Sequence, residues 1–167
     1  MHENVMTGCA YFRDTYLDKD KILKIADIGG LDINGNLREL MHKNWVYHGI
    51  DVAEGRNVDI ILSDTDNWKE LEDESYDVVI SGSTFEHINH PWVAIKEVAR
   101  ILRKGGLVCI IAPLMCPEHK YPEDCWRFMP DGMLTLAKWA GLETLEVLTS
   151  EERKGFIIDT MLIARKP

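Results

Sequence analysis

The 167-residue chain has no apolar run long enough to cross a membrane. A membrane helix needs about 18 consecutive apolar residues, and the longest run here, Leu107–Leu114, has only the length of a strand. The N-terminus also lacks the basic region and apolar stretch of a secretory signal. We therefore expect a cytoplasmic protein without a membrane partner.

Cysteine and positive charge are both scarce. The 4 cysteines form no dense framework, which predicts reduced thiols rather than disulfides. The 19 Lys and Arg residues are outnumbered by 28 Asp and Glu residues, and the net charge is −9. Binding along a nucleic-acid backbone requires a positive field, so this balance argues against a nucleic-acid partner. A small-molecule partner remains compatible with the composition.

The chain also lacks internal repeats, low-complexity tracts and Pro/Ser-rich linkers. Its hydrophobic content of 46% and charged content of 28% are those of an ordinary globular protein. The length favours one domain with a single core. We expect a short N-terminal segment, residues 1–20, and one domain over residues 21–167, present as a monomer or homodimer.

Short apolar segments alternate along the chain with segments of helical period. Val78–Ile80 and Leu107–Ile111 are continuous apolar runs, which are typical of parallel strands covered on both faces. The last two strands leave no room for a long helix between them, so we expect an antiparallel pair at one edge. The pattern predicts an α/β fold with helices on both faces of the sheet. The seven predicted strands are Lys24–Ile28, Trp45–Ile50, Val58–Leu62, Asp77–Ser81, Leu107–Ala112, Glu143–Leu148 and Phe156–Ile163.

The sequence predicts three helices. The clearest is Pro91–Leu102, whose apolar residues recur on one face, with Pro91 suited to the first turn and Gly105 and Gly106 following its end. The other two are Asp131–Ala140, ended by Gly141, and the shorter Asn36–His42.

Small polar and acidic residues follow four consecutive predicted strands. Ligands of such sheets bind beyond the carboxyl ends of the strands. Asp51, after the second strand, is near the ~20-residue offset at which these folds bind a ribose diol. The first turn, Asp27–Gly30, lacks the G-x-G-x-x-G of a dinucleotide site, and its acidic flanks suit a ligand with an ammonium group. A tight turn without a ligand is the alternative interpretation.

The order of these segments resembles the class I S-adenosylmethionine-dependent methyltransferases, specifically the small type-11-like group. Asp27–Gly30 is similar to their glycine-rich first motif, Asp51 to their ribose-binding acidic residue and Ser63–Thr65 to their adenine-contacting segment. Tyr76–Ile80 with Phe85–His87 resembles the fourth motif. The resemblance implies a Rossmann-like, doubly wound, mostly parallel seven-stranded sheet with an antiparallel edge strand, and S-adenosylmethionine as the cofactor. The implied cofactor-binding residues are Asp27, Gly29, Gly30, Asn34, Asp51, Val52, Asp64, Thr65, Ser81 and Phe85.

The first motif departs from the usual D-x-G-x-G-x-G of this family. Leu31 and Ile33 replace the later glycines, and Asn34-Gly35 follows with Arg38 shortly beyond. Similar variants belong to a subgroup associated with sugar and polysaccharide modification. The resemblance therefore implies methyl transfer to a small-molecule acceptor through an oxygen nucleophile, with a sugar or saccharide intermediate as one candidate.

A long irregular segment, residues 113–130, follows the fifth predicted strand, and long loops in compact domains are usually functional. In the resembling subgroup a His-x-Tyr-Pro…Trp-Arg-Phe segment lies over the mouth of the active site. We expect His119 to be the general base, with His87 as the second choice. Tyr121, Trp126 and Arg127 are the expected acceptor-binding residues. In the alternative interpretation Trp126 only plugs the loop onto the core, Arg127 pairs with a carboxylate and His87 satisfies a backbone carbonyl.

Cys116, His119 and Cys125 have a C-x-x-H…C spacing that could suggest zinc. A structural zinc site needs four ligands, and no paired C-x-x-C supplies them, so we expect no metal. Two other functions remain open. One is a non-catalytic S-adenosylmethionine-binding module, and the other is a nicotinamide-dependent oxidoreductase, which the absent G-x-G-x-x-G disfavours.

Overall fold

The computed structural model describes residues 3–150 and 157–167. None of the helices in these two ranges has the length and apolar character needed to span a membrane. The helices and strands are α1 (Glu3–Tyr16), β1 (Lys24–Ile28), β2 (Val46–Asp51), β3 (Ile60–Ile61), β4 (Tyr76–Gly82), α2 (Pro91–Ile101), β5 (Leu102–Met115), α3 (Pro130–Trp139), β6 (Glu143–Thr149) and β7 (Ile158–Arg165).

The strands form a seven-stranded sheet in the order β3-β2-β1-β4-β5-β7-β6. The first five strands in this order are parallel, and β7 is antiparallel to both of its neighbours, β5 and β6. The predicted mostly parallel, Rossmann-like sheet with an antiparallel edge pair is thus confirmed. The strand order reverses direction between β1 and β4, and this switch point is where such sheets bind ligands.

Helices cover both faces of the sheet. On one face α1 buries Val5, Cys9 and Phe12, and on the other α2 and α3 bury side chains such as Ile95 and Met133. No helix is predicted in the N-terminal segment, so α1 is an addition to the predicted elements. The i, i+4, i+7 spacing of Val5, Cys9 and Phe12 was the signal that could have found it.

One predicted helix is wrong. Asn36–His42 contains only a 3-10 turn, Arg38–Leu40. Two turns of helix are marginal without extensive packing. Here the Asp32 carboxylate accepts hydrogen bonds from the backbone N–H of Gly35 and from the side-chain amide of Asn36, and these bonds hold the segment in a non-helical conformation.

Several strand and helix boundaries also differ from the prediction. The predicted strand Val58–Leu62 shortens to β3, since Asp59 N–H donates to the Gly49 carbonyl and binds the chain to β2 before β3 begins. Leu102 ends no helix and instead pairs with Tyr76 as the first residue of β5. The predicted start of the last strand, Phe156, lies outside the described residues, as do residues 1 and 2 of the N-terminal segment.

Candidate active site

The turn after β1 brings the ends of β1 and β4 into contact. Gly29 has φ of +78°, and a Cβ atom there would lie 2.0 Å from Thr84 Oγ1. The N–H groups of Gly29 and Gly30 both donate to the Ile50 carbonyl, at 2.9 and 3.0 Å. The glycines therefore allow a close approach of backbone segments that a side chain would prevent.

Asp51 ends β2 at the same edge of the sheet. Its carboxylate accepts hydrogen bonds from Leu31 N–H at 3.2 Å and from Ala53 N–H at 3.1 Å. The two bonds fix the loops after β1 and β2 relative to each other. A carboxylate has about four lone-pair positions, so further donors such as ribose hydroxyls can still be accepted. Val52 beside it is exposed.

Asp27 is buried between β1 and β2. Its side chain is 2% exposed and accepts a hydrogen bond from the hydroxyl of Tyr47. Burial raises the pKa of Asp27 to about 7. The Arg38 guanidinium lies 4.5 Å above the Tyr47 ring. Through its hydrogen bond with Tyr47, the carboxyl of Asp27 links β1 to β2 beneath the turn.

This burial should make the stability of the protein pH-dependent. The folded state keeps the Asp27 proton to a higher pH than the unfolded chain, so the stabilisation is complete below pH 3.8 and is lost as pH rises to about 7. The difference between the two pKa values of Asp27 corresponds to about 4 kcal/mol of free energy of unfolding.

In Asp27→Asn this contribution of Asp27 to the pH dependence of stability should disappear. Urea unfolding at pH 4 to 8 should show the variant gaining stability relative to the wild type as pH rises, whereas Asp18→Asn on the surface should track the wild type. Parallel profiles for Asp27→Asn and the wild type would contradict the account.

The remaining predicted cofactor residues lie in different environments. Ser81 is buried, and its hydroxyl donates to the Ile28 carbonyl at 2.8 Å, binding β4 to β1. The Phe85 ring is fully buried and contacts Phe128 edge-on. Asn34, Asp64 and Thr65 are exposed. The structure thus brings Gly29, Asp51 and Ser81 to the switch point and places the Phe85 ring in the core.

Ser83 was not among the predicted site residues. It follows β4 at the switch point with φ of +52°, and its buried hydroxyl has no hydrogen-bond partner among the described residues. Buried polar groups are almost always paired, so an unpaired one marks a place where a ligand or water can bind. Together with the close approach at Gly29, it fits an edge built to receive a polar ligand.

The loop after β5 is attached to the segment that follows β4. Both Cys125 N–H and Trp126 N–H donate to the Glu86 carbonyl, at 2.8 and 3.2 Å. The indole N–H of Trp126 donates to the Ile88 carbonyl at 2.9 Å. The loop therefore lies across the carboxyl edge of the sheet, where the sequence analysis predicted it.

Arg127 holds this loop closed. Its guanidinium donates to both carboxylate oxygens of Asp124, at 2.6 and 2.7 Å, and to the Cys116 and Pro117 carbonyls. The pair holds the pKa of Asp124 well below its usual range. This is the arrangement of the alternative interpretation, in which Arg127 pairs with a carboxylate. Tyr121 and Trp126, the other predicted acceptor-binding residues, expose 52% and 37% of their surface.

Both candidate bases lie beside a buried carboxylate that the sequence analysis did not select. Glu86 is completely buried, and neither of its oxygens accepts a hydrogen bond from a described residue. His87 Nε2 lies 3.7 Å and His119 Nε2 lies 3.6 Å from Glu86 Oε1. Burial raises the pKa of Glu86 to about 8 and lowers the pKa of His87. The available signal was an acidic residue directly between the buried Phe85 and a candidate base, His87.

The cysteines near this cluster do not gather around a common point. Cys116 Sγ lies 3.6 Å from His119 Nδ1, whereas the thiol of Cys125 donates to Asn89 Oδ1 at 3.3 Å. In residues 3–150 and 157–167, the group whose ligand atoms lie within 4.8 Å of one another is Glu86, His87 and His119.

A cavity of about 310 Å³ opens between α1 and the strands β5, β6 and β7. Asp159 is one of its lining residues, and the charge of Asp159 contributes to the raised pKa of Glu86. A second depression of about 400 Å³ lies elsewhere, between residues 32–39 and 56–59, and ion pairs of Arg56 with Asp32 and of Arg38 with Asp59 line it.

A model of the family described as the methyltransferase domain matches residues 8–110, more than half of the chain. The chain belongs to this methyltransferase family. The predicted resemblance to class I S-adenosylmethionine-dependent methyltransferases is thereby confirmed, and with it S-adenosylmethionine as the cofactor of the family. The matched residues include the turn at Gly29, the end of β2 and the Glu86 segment.

Known proteins similar to the chain carry out more than one reaction. A thiol S-methyltransferase, TMT1B of Rattus norvegicus, is 27% identical over 124 residues, which cover 68% of this chain and 48% of the relative. The chain spans about half the length of the curated relatives that it matches.

Two solved structures share the fold. The 1,6-didemethyltoxoflavin-N1-methyltransferase of Burkholderia thailandensis has a TM-score of 0.76 at 11% identity and covers 98% of this chain and 79% of its own. The [4+2]-cyclase SpnF has a TM-score of 0.75 at 16% identity, covering 95% and 80%. At these identities the likeness concerns the fold alone.

Proposed function

We propose that the protein transfers a methyl group from S-adenosylmethionine to an oxygen nucleophile of a small-molecule acceptor. The proposal rests on the closeness of two parts of the structure. The turn at Gly29 after β1, which is similar to the family's cofactor-binding turn, lies next to the segment that follows β4, where two histidines surround the buried carboxylate of Glu86. Methyl transfer to a hydroxyl needs both a positioned donor and a group that removes the proton.

The residues at the switch point fit the cofactor. The carboxylate of Asp51 can accept the two ribose hydroxyls, and the hydroxyl of Ser83 has an unused hydrogen-bonding capacity in a buried position. The bound cofactor supplies an electrophilic methyl group on a sulfonium. The protein then has to orient the acceptor, and good orientation alone can contribute ~7–11 kcal/mol.

The acceptor would meet the chain between the loop after β5 and the cavity beside α1. A volume of about 310 Å³ lies in the usual range for small-molecule pockets. The net charge of −9 favours a small molecule over a nucleic acid. Trp126, with its indole partly exposed, can stack on the face of a ring or a sugar.

Replacing Asp51 by Ala should weaken binding of S-adenosylmethionine at least tenfold. A hydrogen bond to a charged acceptor contributes about 1.5–3 kcal/mol, and a factor of ten is about 1.4 kcal/mol. Calorimetric titration measures the change, and Asp131→Ala, an exposed carboxylate of α3, is the matched control. An unchanged affinity in a folded Asp51→Ala protein would remove Asp51 from the site.

Acceptor identity can be sought directly. Incubating the purified protein with a metabolite extract and radiolabelled S-adenosylmethionine should label a small molecule, and degradation of that product should locate the methyl group on oxygen. Label on sulfur or nitrogen would retain the methyltransferase and refute the oxygen acceptor, an outcome made relevant by the thiol and N1 methyltransferases above. Binding of the cofactor without turnover on any extract would favour the non-catalytic module.

A further inference from the structure

Three electron-pair donors converge in the cluster of Glu86, His87 and His119. Both histidine Nε2 atoms lie within 3.7 Å of the same oxygen, Glu86 Oε1, and the two rings are 5.0 Å apart and nearly perpendicular. Glu86 is completely buried at the floor of the cluster, and no described residue donates a hydrogen bond to its side chain. The side chain of His119 is 39% exposed at the rim.

The other nitrogens of the two rings face acceptors. His87 Nδ1 lies 2.5 Å from the Glu123 carbonyl, which can only accept, so Nδ1 carries the proton and the Nε2 lone pair faces Glu86. His119 Nδ1 lies 3.3 Å from the Pro117 carbonyl and 3.6 Å from Asp124 Oδ2. Metal-binding histidines typically donate their second ring N–H to a carbonyl or carboxylate in this way, which fixes the tautomer.

Hydrogen bonds between the two histidines and Glu86 do not account for the distances between their nitrogen and oxygen atoms. At 3.6 and 3.7 Å the nitrogen–oxygen distances are longer than hydrogen bonds. Two ligands about 2.1 Å from a tetrahedral metal ion are about 3.4 Å apart, close to the distances seen. The carboxylates of Asp124 and Asp159 act electrostatically on the same site, and Arg127 opposes them only in part.

We infer that Glu86, His87 and His119 bind a divalent transition-metal ion. Two imidazoles and one carboxylate form the donor set of catalytic zinc sites and are poorly suited to Mg²⁺ or Ca²⁺, which prefer oxygen ligands. Three protein ligands leave a coordination position for a further oxygen.

The chemical role of this ion rests on the proposed function. An acceptor hydroxyl bound at the open position would lose its proton to water more readily. Its oxygen would then form a bond to the methyl carbon as the sulfonium S–C bond breaks, releasing S-adenosylhomocysteine. The two histidines, predicted from the sequence as bases, would act here as ligands.

Metal binding is tested by titrating chelator-treated protein with Zn²⁺ and with Co²⁺. We expect one ion per chain, and Glu86→Gln and His119→Ala should each weaken binding by more than the ~10–100-fold that loss of an outer partner costs. His42→Ala, an exposed histidine outside the cluster, should bind like the wild type. Circular dichroism confirms that the variants are folded, and Glu86→Gln preserves the shape of the side chain.

Two further readouts separate the competing outcomes. The Co²⁺ spectrum should lack a thiolate charge-transfer band, and Cys116→Ser should leave affinity unchanged. A thiolate band, or equal affinity in the wild type and both cluster variants, would overturn the inference.

Binding of S-adenosylmethionine is measured in the same chelator-treated protein. If the metal binds and the cofactor does not, the proposed function fails and the metal site stands. If the cofactor binds and the metal does not, the metal site fails and the proposed function stands.

Discussion

Gly29→Val should abolish binding of S-adenosylmethionine. A Cβ atom at this position would lie 2.0 Å from Thr84 Oγ1 and 2.6 Å from Thr84 Cβ, and the backbone φ of +78° is strained for a β-branched residue. The turn after β1 and the segment after β4 would therefore have to separate, and the edge that receives the cofactor would open. Calorimetry with the cofactor measures the loss.

The chain offers a matched control at Gly35. This glycine also has positive φ, +110°, but a Cβ atom there meets nothing within 4 Å. Gly35→Val also places a β-branched residue at positive φ but without the collision, so it should retain cofactor binding with a loss of stability. Normal binding by a folded Gly29→Val protein would show that this turn does not form the cofactor site. Equal loss in both variants would assign the effect to strain rather than to the contact with Thr84.

His119→Ala should lower kcat by about 10²–10⁴-fold once an acceptor is identified, because the acceptor hydroxyl loses either the base that takes its proton or a ligand of the inferred metal ion. His119 Nε2 faces the buried Glu86, and the ring is the part of the cluster nearest to solvent. Truncation leaves the backbone N–H of residue 119, which donates to Asp124 at 2.8 Å, so the loop should remain closed. Steady-state production of S-adenosylhomocysteine gives kcat, and calorimetry should show unchanged cofactor affinity.

Two comparisons make this result interpretable. His87→Ala should give the same pattern, because both imidazoles approach the same oxygen of Glu86, whereas His42→Ala should have wild-type turnover. A reduction of less than about threefold in both cluster variants, well below the range for base catalysis, would mean that positioning carries the reaction and that the loop only covers the site.

The fold was predictable because the signals for it are local. Continuous apolar runs such as Leu107–Ile111 reveal parallel strands, and the face of Pro91–Ile101 reveals α2. The predicted helix Asn36–His42 was wrong because a short helical pattern carries little free energy of its own, and local hydrogen bonds that Asp32 accepts from Gly35 and Asn36 hold the chain in another conformation. The α1 helix was missed because the recurrence of Val5, Cys9 and Phe12 on one face was not recognised in the N-terminal segment.

Prediction of the site was limited in a different way. Sequence order places Gly29, Asp51 and His119 at one edge of the sheet, because the carboxyl ends of parallel strands meet there. It does not show which atoms each side chain contacts. The sequence does not show, for example, that Arg127, predicted to bind the acceptor, donates to Asp124 in its own loop. Glu86 gained importance only when its burial and its distance from two imidazoles were known.

The most direct test of the central claim is a calorimetric titration of the wild-type chain with S-adenosylmethionine, repeated with NAD and with Asp51→Ala. We expect one saturable site per chain for S-adenosylmethionine and no heat of binding with NAD. In Asp51→Ala we expect at least tenfold weaker binding of S-adenosylmethionine, because a hydrogen bond to a charged acceptor is lost. Saturable binding of NAD, together with no binding of S-adenosylmethionine by folded protein, would contradict it.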